Sequence, residues 1–101
     1  MNRKGTFWNS NSSSIRQIAR IRLARLLITE KKPTDSIQLL QTVDDKYFSS
    51  LINEVRGDAY FAMRQLNKAK QSYHKAMLEL PSHDTIRPIL QMKYDNLPNI
   101  K

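Results

Sequence analysis

The stretch "RGDAYFAMRQLNKAKQSYHKAMLELP", residues 56–81, spaces small and aromatic side chains evenly over two consecutive helical segments. Gly57 and Tyr60 lie on the first segment, Ala69, Tyr73 and Ala76 on the second, and Pro81 follows. Small residues at facing positions let two helices cross closely, and the tyrosines fill the space beside the crossing. A proline ends the pair because it cannot continue a helix. The stretch therefore predicts a helical hairpin.

A weaker copy lies 33 residues earlier. Ala24 stands where Gly57 does, Leu27 for Tyr60, Ser36 for Ala69, Leu40 for Tyr73 and Val43 for Ala76. A hairpin repeated at this period resembles the tetratricopeptide repeat, although Asn53 and Arg56 stand where that pattern usually carries Trp and Leu. The resemblance implies an all-α fold, a right-handed α-solenoid fragment of two antiparallel hairpins at about 17–45 and 50–83. A generic four-helix bundle is the competing architecture.

Outside the repeats, residues 1–13 are polar, show no period and read as a disordered lead to a domain at 14–97. The first helix is expected over 14–30 with Ser14 as its cap, and the second over 35–43 after Pro33, with Thr34 as its cap. The third is expected at about 45–63, opened by Asp44-Asp45, and the fourth at about 68–80, capped by Asn67. A last helix at about 86–96 would cap the stack, with Pro88 in its first turn and Ile89, Met92 and Leu97 inward. Two glycines and four prolines in 101 residues leave little to break such helices.

The first helix is apolar on two sides, so it expects two neighbours. Ile15, Ala19, Leu23 and Leu26 share one side and are assigned to its own hairpin and the second repeat. Ile18, Ile21 and Ile28 lie nearly opposite, awaiting an upstream repeat, another chain or a second copy through self-association. On the concave surface, which the first helix of each pair lines, the expected partner-binding residues are Ile18, Ile21, Arg25, Ile28, Leu51, Glu54, Asp58 and Phe61.

Composition limits the chemistry. There is no cysteine, and His74 and His83 have no carboxylate at ligand spacing. No nucleophile elbow or phosphate loop occurs, so neither an enzyme nor a cofactor or small-molecule substrate is expected. The net charge is +8, from 17 Lys+Arg against 9 Asp+Glu. It raises the alternative of a soluble basic helical-repeat adaptor or nucleic-acid binder. However, Arg16 and Arg20 lie on one side of the first helix and Arg22 and Arg25 on the other, a poor stripe for a phosphate backbone. No apolar run approaches the ~18 residues that span a bilayer, and no signal segment is visible, so the chain as written reads as soluble.

Three segments together resemble the YfgM family of ancillary SecYEG translocon subunits: "ARIRLARLLITEKKPTDSIQLL" on the first hairpin, "LINEVRGDAYF" on the second and "QMKYDNL" on the last helix. The resemblance covers about residues 14–97. It implies a tetratricopeptide domain on the periplasmic side of the bacterial inner membrane, anchored by one N-terminal membrane helix. It also implies association with the translocon, with the membrane-bound chaperone PpiD and with other periplasmic chaperones. Here "MNRKGTFWNS" has no counterpart in the family, and the expectation is an N-terminally truncated member.

Overall fold

A computed structural model describes residues 12–81 and 84–98. It forms five α-helices: α1 (Ser12–Thr29), α2 (Pro33–Leu40), α3 (Ser49–Ala62), α4 (Leu66–Leu78) and α5 (Arg87–Asp95). A 3-10 turn, Lys46–Phe48, leads into α3. Helix α1 packs on α2 and α3, α2 on α3, α3 on α4, and α4 on α5. Each hairpin thus stacks its second helix on the first helix of the next unit, and α5 closes the stack as expected for a helical solenoid fragment.

The repeat is visible in the backbone itself. Lys31 and Arg64, 33 residues apart, both adopt left-handed conformations, with φ of 66° and 63°. After α1, the Lys32 amide donates to the Leu27 carbonyl at 2.7 Å and the Lys31 amide to that of Ile28 at 3.0 Å. After α3, the Gln65 amide donates to Tyr60 at 2.9 Å and the Arg64 amide to Phe61 at 2.9 Å. Both are Schellman closures, which satisfy carbonyls that the helix end leaves bare. Glycine is the usual residue there, since a β-carbon in this conformation costs about 1 kcal/mol. Arg64→Gly is therefore expected to stabilise the fold by about 0.5 kcal/mol after the flexibility it adds to the unfolded chain. A small upward shift of the urea midpoint would register it.

The starts of the helices depart from expectation. Helix α1 already includes Ser12 and Ser13, so Ser14 lies inside it rather than capping it. The rest of the expected disordered lead lies outside the described residues, as do Ser82 and His83 of the expected loop. Pro33 opens α2 instead of ending a segment, because its fixed φ suits the first helical position and no amide is lost there. Helix α4 begins at Leu66, leaving Asn67 inside. Asp45 does cap, but it caps the 3-10 turn, accepting from the Tyr47 amide at 2.9 Å.

Two apolar clusters flank α3. The first holds Ile21, Ala24, Leu40, Val43, Phe48, Ile52 and Val55. The second holds Ala69, Tyr73, Ala76, Met77, Leu90 and Leu97, with Tyr60 packed against it. At the first crossing, buried Ser36 donates its hydroxyl to the Ala24 carbonyl at 2.8 Å. At the second, Gly57 faces the Tyr73 ring so closely that a β-carbon would lie 2.5 Å from its Cε1. Ala24 and Ser36 thus meet at the first crossing, and Gly57 and Tyr73 at the second. Leu27 is only half-buried, and Pro81 is exposed, so the latter acts as a chain breaker alone. In α5 the inward residue is Leu90, while Ile89 and Met92 are exposed. Leu90 falls 33 residues after Gly57, in register with Ala24 and Gly57 at the centre of the stack.

Candidate protein-docking surface

The first helices of successive units, α1, α3 and α5, are tied together by charge. Glu54 sits on α3 where Ile21 sits one repeat earlier, a position facing the core. Its side chain is only 5% exposed. Lys93 on α5 donates to Glu54 Oε2 at 3.0 Å and to both oxygens of Asp58 at 3.1 Å. Arg25 on α1 approaches Glu54 Oε1 at 3.6 Å, too far for a hydrogen bond, and that buried oxygen has no hydrogen-bond partner among the described residues. Asp58 also accepts from the Tyr73 hydroxyl.

These contacts set the titration of two groups. Burial pulls the Lys93 amine down, but the carboxylates of Glu54 and Asp58 outweigh it and hold the amine above its ordinary value. Burial, and then the bond to Asp58, push the Tyr73 phenol up. In the unfolded chain these groups lose their protons near about 10.4 and 10. The unfolded state therefore releases protons first as pH rises. Stability from both groups is full below pH ~10 and is lost as pH climbs through the folded values. Urea midpoints are expected to fall as pH is raised above ~10, and Tyr73→Phe should reduce that fall.

This geometry corrects several of the expected binding residues. Ile21 is buried in the first cluster and Ile28 packs against that cluster. Glu54 is buried and bridged, and Asp58 is occupied by Tyr73 and Lys93. Leu51 is half-buried against the first cluster. Ile18 and Phe61 are exposed. Phe61 borders a cavity of about 330 Å³ together with Asp58, Tyr73, Lys93, Asn96 and Leu97.

Apart from Ile18, which is exposed as expected, the two sides of α1 are exchanged relative to expectation. Ile21, Ala24 and Ile28 face inward, because the small Ala24 marks the crossing and carries its neighbours three and four residues away with it. Ile15, Ile18, Leu23 and Leu26 are left 39–49% exposed on one continuous face. The four arginines of α1 form no stripe: Arg20 donates to the Thr42 carbonyl at 3.1 Å and Arg25 leans on Glu54. Among the described residues, no group of three or more His, Asp or Glu is placed to hold a metal ion. Nor is any helix there long and apolar enough to cross a membrane.

The missed residues are Lys93 and the exposed Leu23 and Leu26. The 33-residue register, extended to Leu90, could have placed α5 correctly and brought Lys93 toward α3. Taking Ala24 as the crossing point could have oriented α1.

Stacked hairpins, close crossings and an exposed apolar helix face define an interaction module of the helical-repeat class. A family described as a tetratricopeptide repeat-like domain matches residues 5–99. An ancillary SecYEG translocon subunit of Neisseria gonorrhoeae is 33% identical over 89 residues, covering 88% of this chain and 43% of that protein. One from Buchnera aphidicola subsp. Schizaphis graminum is 22% identical over 88 residues, covering 87% of this chain and 45% of that protein. The chain belongs to the tetratricopeptide repeat-like domain family. It spans less than half the length of these curated relatives. No solved structure matches it significantly.

Proposed function

We propose that this chain is a non-enzymatic docking module in protein export, acting beside the SecYEG translocon on the periplasmic side of the inner membrane. In this reading it helps exported proteins pass from the channel to periplasmic chaperones, PpiD among them. The observation that carries the docking role is the exposed face of α1, where Ile15, Ile18, Leu23 and Leu26 lie together. A continuous apolar helix face of this kind marks a protein-interaction surface. Self-association through α1 is disfavoured by charge: the helix carries four arginines and no carboxylate, so an α1–α1 pair would oppose like charges. A different protein avoids that repulsion. Phe61 and Leu51 offer a second, smaller apolar contact on α3.

The test is co-purification of the full chain with SecYEG from bacterial inner membranes, alongside Leu26→Glu. Leu26 is half-exposed, so the variant should keep its melting temperature while recovery of the translocon falls at least several-fold. Unchanged recovery would remove α1 from the reading. A concentration-dependent dimer of the wild type, lost in Leu26→Glu, would replace it with self-association.

A further inference from the structure

A cleft of about 940 Å³ opens between the 3-10 turn, the first turns of α3 and the connection from α4 to α5. Its lining includes Leu51, Leu80 and Ile86, which suit an aliphatic side chain. Its charge runs against that of the molecule. The chain as a whole carries +8 and only nine Asp and Glu. Three of these carboxylates, Glu54, Glu79 and Asp84, line this one cleft, opposed by Lys46.

The carboxylates are held ready to accept. Glu79 Oε1 already takes a hydrogen bond from Asn53 at 2.9 Å, and Asp84 Oδ1 takes one from the Ile86 amide at 2.8 Å. Each side chain is thereby oriented, and its second oxygen makes no hydrogen bond among the described residues. Deeper in, Glu54 is only 5% exposed and paired with Lys93 and Arg25, so it adds negative charge beneath the cleft without itself reaching a ligand. The second oxygen of Glu79 and of Asp84 suits a ligand that brings donors, and the orienting bond each side chain already makes lowers the ordering cost of binding. At the rim, the Tyr47 ring is 86% exposed and open to a guanidinium or ammonium over its face.

We infer that this cleft binds a segment of a partner protein in which a lysine or arginine stands beside an aliphatic residue. The inference rests on the docking role proposed above and names the chemistry of one partner segment. The overall positive field opposes a basic ligand, so binding of one reports the local carboxylates rather than bulk charge.

Fluorescence anisotropy with three labelled pentapeptides tests it: Lys-Leu-Arg-Leu-Lys, Gln-Leu-Gln-Leu-Gln and Glu-Leu-Glu-Leu-Glu. The basic peptide is expected to bind one to one and the other two at least about tenfold more weakly, a difference of about 1.4 kcal/mol. Glu79→Gln with Asp84→Asn keeps both orienting acceptors and should weaken the basic peptide by about tenfold. Tyr47→Ala, at a solvent-exposed side chain, should weaken it further. Glu30→Gln, in the turn after α1, should leave it unchanged. Equal binding of the neutral peptide, preference for the acidic one, or indifference to Glu79→Gln/Asp84→Asn would overturn the inference. If no peptide binds while the chain still co-purifies with the translocon, the cleft chemistry fails and the docking role stands. If the basic peptide binds and co-purification fails, the reverse holds.

Discussion

Gly57→Leu is expected to destabilise the protein by about 3 kcal/mol, the upper end of what overpacking a helix crossing costs. A β-carbon on Gly57 would lie 2.5 Å from Cε1 and 2.6 Å from Cδ1 of Tyr73. The ring has nowhere to go. It is buried among Ala69, Ala76 and Leu90, and its hydroxyl is held by Asp58. The gain in helix propensity on replacing a mid-helix glycine, at most about 1 kcal/mol, does not offset the clash. A domain of this size has a total stability near the low end of about 5–15 kcal/mol, so the variant should be visibly shifted in a urea melt. Gly57→Ala should show a smaller loss. Its combination with Tyr73→Leu should cost less than the sum of the two, because the same contact is removed twice. An unchanged midpoint for Gly57→Leu would mean that α3 and α4 are not held by close approach.

Lys93→Met is expected to cost about 2–3 kcal/mol, measured by thermal or urea unfolding near neutral pH. It removes the hydrogen-bonded countercharge of Glu54 and one of the two side chains that hold Asp58. Stranding a fully buried carboxylate typically costs about 3–5 kcal/mol, and the 28% exposure of the Lys93 side chain lowers that figure through solvent screening. Glu54 occupies the place that Ile21 fills one repeat earlier, which points to a second measurement. Glu54→Met combined with Lys93→Met removes the most buried carboxylate together with its countercharge and leaves the partly exposed Asp58 bonded to Tyr73. It should recover most of the lost stability if desolvated charge is the cause. Failure to recover would assign the loss to the other contacts of the Lys93 amine, with Asp58 and over the Tyr73 ring.

Packing was legible where residue size repeats. Ala24, Ser36, Gly57 and Ala69 announce the crossings, since only small side chains fit there, and Tyr73 and Leu40 follow from them. Helix starts were less legible. Ser14, Thr34 and Asn67 are all good capping residues, but Pro33 and the apolar Leu66 open helices without side-chain caps. Neighbouring helices decide where each begins. The two sides of α1 are equally apolar, so composition could not orient it. The ion bridge was hidden for a different reason. Lys93 lies 39 residues from Glu54, and no local spacing links them. The candidate docking cleft is not legible in the sequence, because it is assembled from a 3-10 turn, a helix start and a distant connection rather than from one helix face.

The division of the apolar interior has a consequence for how the molecule opens. The two clusters share no member, and α3 serves both: Ile52 and Val55 belong to the first, and Gly57 seats the Tyr73 ring of the second. Either flank can detach while the other still shields α3. Under hydrogen exchange, amides of α1 and α5 are then released by partial opening at an end, and those of α3 only when both flanks have let go. The slowest-exchanging amides of this chain belong at its middle, and the outer helices, α1 with its exposed apolar face among them, come loose first.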